Sequence, residues 1–107
     1  MRHLFSIALG GVLWLAFSPS YALTGNEYRT LPEPQRLAWT VGVADGILAT
    51  QLIASNKKPP LADCLAKFER EQIRAMFEKA IEKEPERWHF PAAFTFYATF
   101  QKHCGLE

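Results

Sequence analysis

Two cysteines, Cys64 and Cys104, constrain the fold of this 107-residue chain more than any other pair of residues. In a short chain outside the cytosol, an even number of cysteines usually forms disulfides. Closing a loop of about 40 residues stabilises a fold by about 4 kcal/mol in the chain-entropy model. A zinc site with His89 and His103 is the alternative, but the spacing matches no compact zinc pattern. We therefore predict a Cys64–Cys104 disulfide, no metal site and no bound cofactor.

The first 22 residues have the layout of a secretory signal peptide, which places both cysteines outside the cytosol. A basic start at Arg2 is followed by an apolar run of 14 residues, Leu4 to Phe17, and by small residues before Ala22. A membrane-spanning helix needs about 20 apolar residues, so the alternative of an uncleaved anchor is disfavoured. We predict cleavage before Leu23, a periplasmic protein, and no membrane association after cleavage.

Residues 23 to 107 are expected to form a single helical domain without net charge. Removing Arg2 from the twelve Lys and Arg leaves eleven, against eleven Asp and Glu, so the charge is zero with neutral histidines. A nucleic-acid-binding protein needs surplus positive charge to neutralise phosphates, so this class is excluded. A domain of this size buries only a modest fraction of its surface, which makes a stabilising disulfide valuable.

The pattern of apolar residues, prolines and caps predicts an all-α fold, a small orthogonal bundle of three to four helices with one disulfide. Thr24-Gly25-Asn26-Glu27 fits a capping box, and Pro32 ends the short helix that it starts. Apolar residues at helical spacing from Pro34 to Ser55 predict a central, largely buried helix. Gly42 and Gly46 share one face of it, where we expect another backbone or a bulky ring to approach closely.

The second half of the domain is expected to contain two further helices. A loop follows at Asn56 to Pro60, and Asp63 is predicted to cap a helix that ends at Glu84-Pro85. The last helix begins at Phe90-Pro91, and Gly105 is predicted to cap its carboxyl end.

Asp45 is the one charged residue between Arg36 and Lys57. A buried carboxylate at this position would orient a functional site. We favour the structural interpretation, in which Asp45 lies on a narrow solvent-exposed side of the helix or accepts hydrogen bonds from a neighbouring loop.

Six aromatic rings lie within the thirteen residues from Trp88 to Phe100. A helix starting at Pro91 places several of these rings on the face that carries Cys104, and the disulfide requires that face to point inward. Burying an aromatic side chain contributes about 1.5 to 3 kcal/mol, so we assign this face to the core rather than to a binding surface. The residues of this face are Ala93, Phe96, Tyr97, Phe100 and Cys104, with Phe94 and Ala98 extending it.

Trp88 and His89 precede the last helix and are predicted to lie in a loop. Loops carry function more often than cores do, which makes these two residues better candidates for contact with a partner. No catalytic pattern accompanies them: the chain has no serine beside a histidine–acid pair, no phosphate-binding glycine loop and no histidines at metal spacing. We therefore predict a protein that is not an enzyme and has no catalytic residues.

Five segments resemble, in their order, the periplasmic immunity proteins of the Rap/Tai family, which protect bacteria from peptidoglycan-amidase effectors of type VI secretion. The segments are LTGNEY, VGVADGI, a cysteine eight residues before Gln72, EPERWHFPAA and ATFQKHC, and the resemblance covers essentially all of residues 24 to 104. The family commonly has a further cysteine where this chain has Leu31-Pro32, and a proline where it has His103.

The resemblance implies a small helical inhibitor, often a homodimer, that blocks the active-site cleft of an exported cell-wall amidase with a protruding loop. Applied to this chain, it nominates the loops at 56–61 and 84–90, with Lys57, Lys58, Trp88 and His89 as partner-binding residues. Trp88 is then a rigid aromatic anchor of the kind that dominates interfaces. The alternative function is a periplasmic acid-stress chaperone, which would expose apolar surface as paired carboxylates lose charge at low pH.

Overall fold

A computed structural model describes residues 23–107 of the chain, and the expected signal peptide, residues 1–22, lies outside the described residues. Within the described part the fold is all-α, without strands, as predicted. It contains five helices rather than three to four, joined by short loops and one 3₁₀ turn at Pro85–Arg87. The helices are α1 (Gly25–Thr30), α2 (Glu33–Ser55), α3 (Pro60–Leu65), α4 (Arg70–Lys83) and α5 (Ala92–His103).

The extra helix arises because the segment after the proline loop is divided at 66–69 into α3 and α4. Pro59 and Pro60 set the start of α3, where a missing N–H costs nothing, so the prediction that Asp63 caps a helix was wrong. Asp63 lies inside α3, and its carboxylate pairs with Lys58 Nζ at 2.8 Å. Glu69 caps α4 instead, since its N–H donates to Gln72 Oε1 at 2.8 Å in a capping box.

Aromatic rings from four helices form the core. The ring of Phe77 in α4 lies 5.0 Å from Tyr28 and 5.2 Å from Phe96, measured between centroids, and the rings of Phe96 and Phe100 are 4.7 Å apart. Trp39 of α2 stacks on Phe77 at 5.6 Å. Such aromatic pairs contribute about 0.5 to 1.5 kcal/mol beyond the area that they bury. The helices are therefore held around one ring-filled centre.

The predicted disulfide is present and joins α3 to the end of α5. Cys64 and Cys104 have a Cα–Cα distance of 6.0 Å, and both side chains are half-buried. The predicted glycine cap follows directly, because Gly105 has a φ of 67° and allows the Leu106 N–H to donate to the Gln101 carbonyl at 2.8 Å. These bonds fix the carboxyl end of α5 beside α3.

The expectation of a largely buried α2 was wrong. Only Thr40 and Ala44 are buried, because the aromatic core covers a single side of this 23-residue helix. Gly42 and Gly46 lie on the opposite side, and a Cβ at either position would meet no described atom within 4 Å. By length and composition α2 would also be able to cross a membrane, with a mean hydropathy of 1.4. The domain thus leaves much of an apolar helix uncovered.

A polar network joins α1, α2 and α4 beside the core. Arg74 donates to Glu78, four positions further along the helix, at 3.1 and 3.2 Å, and it also contacts Glu33 and Glu71. The Tyr28 hydroxyl donates to Glu78 Oε2 at 2.9 Å. Burial, and then this bond to a carboxylate, raise the pKa of Tyr28 above its ordinary value. Glu78 thereby links the first helix to the fourth.

Candidate partner-binding site

Trp88 fastens the loop before α5 to the rest of the domain. Its indole N–H donates to the Ile81 carbonyl at 2.8 Å, and the Arg29 guanidinium lies 3.5 Å from its ring centroid. The Trp88 carbonyl accepts from the Asn26 N–H at 2.9 Å, and Gly25 packs directly on the Trp88 backbone. Half-buried and bonded in this way, Trp88 positions the residues that follow it.

His89 and Phe90 are exposed at the end of this loop, next to α5. Their ring centroids lie 4.4 Å apart, and 44% of Phe90 is exposed. The backbone beneath them is fixed, because the Phe90 carbonyl accepts from the Gly25 N–H at 3.1 Å and the Phe90 N–H donates to the Arg87 carbonyl at 3.0 Å. The loop therefore presents two neighbouring rings to solvent on a rigid support.

The outer side of α5 continues this exposed aromatic surface. The core assignment is confirmed for Phe96 and Phe100, but it was wrong for Phe94 and Tyr97, which are 68% and 39% exposed. Ala98 is also exposed. The reason is helical geometry: positions four apart share a side, whereas a residue two positions before Phe96 lies on the opposite side. We call Phe90, Phe94 and Tyr97 the aromatic strip.

A cavity of about 600 Å³ lies between the end of α2, the loop before α3 and the end of α5. Both predicted loop lysines, Lys57 and Lys58, line it. Lys58 is paired with Asp63, and that hydrogen bond raises the pKa of Lys58 and lowers the pKa of Asp63. Lys57 forms no ion pair within residues 23–107. The other lining residues are Gln51, Ala54, Ser55, Pro59, Pro60, Leu61, Gln101 and Leu106.

The aromatic strip and the cavity adjoin through Gln51. Its Nε2 lies 3.4 Å from the Tyr97 hydroxyl, and Gln51 is itself a lining residue of the cavity. Gln101, one turn beyond Tyr97 on α5, also lines it. The structure therefore brings His89 near one end of a surface that has Lys57 and Lys58 at the other. Sequence reasoning missed the strip that connects them, although the four aromatic rings between positions 94 and 100 cannot all share one side of a helix.

Two smaller cavities lie elsewhere in the domain. One of about 250 Å³ is lined by Tyr28, Arg36 and Glu78 among others, and one of about 240 Å³ is lined by Thr40, Asp45 and Arg70 among others. Asp45 is exposed, in line with the structural interpretation. Within residues 23–107, no group of three or more His, Cys, Asp or Glu side chains is placed to hold a metal ion.

The chain matches no protein-family model, no curated protein and no solved structure. Its own geometry therefore defines its class, a small all-helical domain that is closed by one disulfide. The exposed aromatic strip beside a lysine-lined cavity is its candidate contact surface.

Proposed function

We propose that this protein is a periplasmic immunity protein, released by cleavage before Leu23, that inhibits a peptidoglycan amidase by covering its active site. The observation that carries the proposal is the exposed aromatic strip, which adjoins the cavity of the lysine loop through the contact between Gln51 and Tyr97. Exposed aromatic side chains that lie together usually mark a contact surface, and aromatic residues dominate interface energetics. The order of five sequence segments supports the amidase as the partner.

Both ends of this surface are fixed before any partner binds. Asn56 adopts a left-handed conformation with φ 55°, and its N–H donates to the Leu52 carbonyl at 2.7 Å. Pro59 and Pro60 restrict the chain on the other side of the lysines. Trp88 fixes the opposite loop. A surface that is already ordered loses little conformational entropy on binding, which favours a tight inhibitor.

The test measures inhibition of an exported peptidoglycan amidase from the same organism by the protein purified after export of the full chain. Phe94→Ala and Tyr97→Ala are expected to weaken inhibition about tenfold or more each, the usual effect of truncating an interface aromatic. Ile53→Ala is the matched control, because Ile53 is 82% exposed on α2 and lies outside the strip. Unchanged inhibition by both strip variants, or no inhibition by the unaltered protein, would refute the proposal.

A second candidate function, an acid-stress chaperone, is favoured by one specific observation. Arg74 is held by three carboxylates, Glu33, Glu71 and Glu78. Ion pairs between arginine and carboxylates weaken in acid, and loosening of α4 would then release apolar surface. Binding of an apolar dye between pH 7 and pH 3 separates the candidates, because a sharp rise as the pH falls supports the chaperone and a flat response supports the inhibitor.

A further inference from the structure

We infer that the cavity beside the lysine loop binds an acidic peptide segment of a partner protein, with an apolar side chain inside and a carboxylate on Lys57. The inference rests on the proposed function only for the origin of the segment. The binding chemistry follows from the cavity itself.

The size and walls of the cavity suit an apolar side chain. Ligand cavities in proteins commonly have volumes of about 300 to 1,000 Å³, and this one has about 600 Å³. Leu61 and Pro59 are buried at its wall, and Leu106 and Ala54 add further apolar atoms. An apolar side chain that enters the cavity would move from water onto an apolar surface that is already formed.

The charged residues that line the cavity are all positive, and they lie on its loop side. Two lysines and no Asp or Glu line it. The charge of Lys58 is already matched by Asp63 at 2.8 Å, whereas Lys57 has no carboxylate partner among residues 23–107. A ligand carboxylate next to Lys57 would supply the missing negative charge. An anionic ligand is therefore complementary, and a cationic one is excluded.

Gln51 and Gln101 supply polar groups to the wall of the cavity. The Nε2 atom of Gln51 lies 3.4 Å from the Tyr97 hydroxyl, so this side chain stands where the cavity meets the aromatic strip. A side-chain amide can both donate to and accept from a peptide backbone, so the two glutamines have the chemistry to contact the backbone of a bound segment.

The neighbouring surface indicates a segment of a protein rather than a small acid. The cavity adjoins the aromatic strip through Gln51 and Tyr97, so a chain that fills the cavity can continue along exposed rings. A small carboxylic acid would leave that surface unused. A second copy of this chain is the remaining occupant, and the experiment below detects it.

The test is a titration of the isotope-labelled protein, exported from the full chain, with the peptide acetyl-Gly-Leu-Phe-Asp-Asp-amide, followed by amide NMR shifts. We expect saturable shifts at cavity residues such as Ser55, Lys57 and Gln101. The same peptide with Asn for both Asp should bind at least tenfold more weakly. Lys57→Glu should also weaken binding at least tenfold, while Lys79→Glu, the same charge change on an exposed residue of α4, should leave it unchanged.

Three outcomes would overturn the inference: equal binding of the acidic and amide peptides, shifts centred away from the cavity, and no saturable binding up to about 5 mM, which corresponds to a very weak complex. Shifts of the cavity residues on dilution of the protein alone would assign the cavity to a second copy and would also overturn it. Peptide binding without amidase inhibition would leave the cavity site standing and refute the proposed function. Amidase inhibition without peptide binding would do the reverse.

Discussion

Removing the Cys64–Cys104 disulfide should cost this domain a large part of its stability. The bond closes a loop with a sequence separation of 40 residues, for which the chain-entropy model gives a stabilisation of about 4 kcal/mol. A domain of 85 residues has a total free energy of unfolding of roughly 4 to 13 kcal/mol, at about 0.05 to 0.15 kcal/mol per residue. The double variant Cys64→Ser and Cys104→Ser is therefore expected to be marginally folded.

The loss of stability is expected to appear first in α3. α3 is six residues long and buries only Leu61 and Leu65, so the disulfide is its main attachment to α5. Leu61 lines one wall of the cavity, and Gln101 and Leu106 line the other. Without the covalent link these walls are free to separate. Amide hydrogen exchange should consequently rise in α3 before it rises in α4.

Urea unfolding, followed by tryptophan fluorescence, measures the effect. With a denaturant slope of about 1 kcal/mol per molar, typical of a small domain, the midpoint should fall by roughly 3 to 4 M. The control is urea unfolding of the wild-type protein in the presence of a thiol reductant, which breaks the disulfide but keeps both cysteine side chains. Its urea midpoint should match that of the double variant. A fall of less than about 1 M in both samples would refute the chain-entropy reasoning for this loop.

Three further predictions test the packing described above. Phe96→Ala should lower the free energy of unfolding by about 3 to 5 kcal/mol, while Phe94→Ala, on the exposed side of α5, should change it by less than about 0.5 kcal/mol in the same urea assay. Gly25→Ala should destabilise by about 1 to 3 kcal/mol, because the new Cβ would lie 3.1 Å from a Trp88 backbone atom that hydrogen bonds hold in place; a thermal midpoint equal to wild type would contradict this. Tyr28 keeps its proton in the folded protein at pH values where the unfolded chain loses it, so its contribution to stability is complete below pH 10 and declines above it. Tyr28→Phe should therefore flatten the alkaline decline in the free energy of unfolding. Parallel plots of that free energy against pH for the two proteins, between pH 9 and pH 11, would show that the decline has another cause.

Features governed by neighbours in the chain were predictable from the sequence. The Thr24–Glu27 capping box, the Arg74–Glu78 pair and the positive φ of Gly105 each depend on residues within four positions. The disulfide was predictable for a different reason, because two cysteines allow a single pairing within the chain. These rules are local or combinatorial, and they do not require knowledge of how the helices pack.

Features that depend on which side of a helix is covered were not predictable. Gly42 and Gly46 look like a packing face in the sequence, but the core lies on the other side of α2. Phe94 and Tyr97 are as apolar as Phe96, and only the position of α5 against α4 decides which rings are buried. The contact of Gln51 with Tyr97, 46 positions apart in the chain, has no signature in the sequence at all. The candidate site is therefore known mainly from the structure.

The sulfur–sulfur link divides the molecule into a covalent ring and a tail. Residues 64–104 form the ring, which encloses α4 and α5, whereas α1 and α2 precede it. When a peptidase cuts once inside the ring, the disulfide still joins the two pieces covalently. A cut after Lys57 or Lys58, in contrast, leaves α1 and α2 held only by noncovalent bonds such as that between Arg29 and Glu82 at 2.9 Å. Resistance to degradation is thus concentrated in the carboxyl-terminal half, and the exposed lysines are the point at which one cleavage divides the protein.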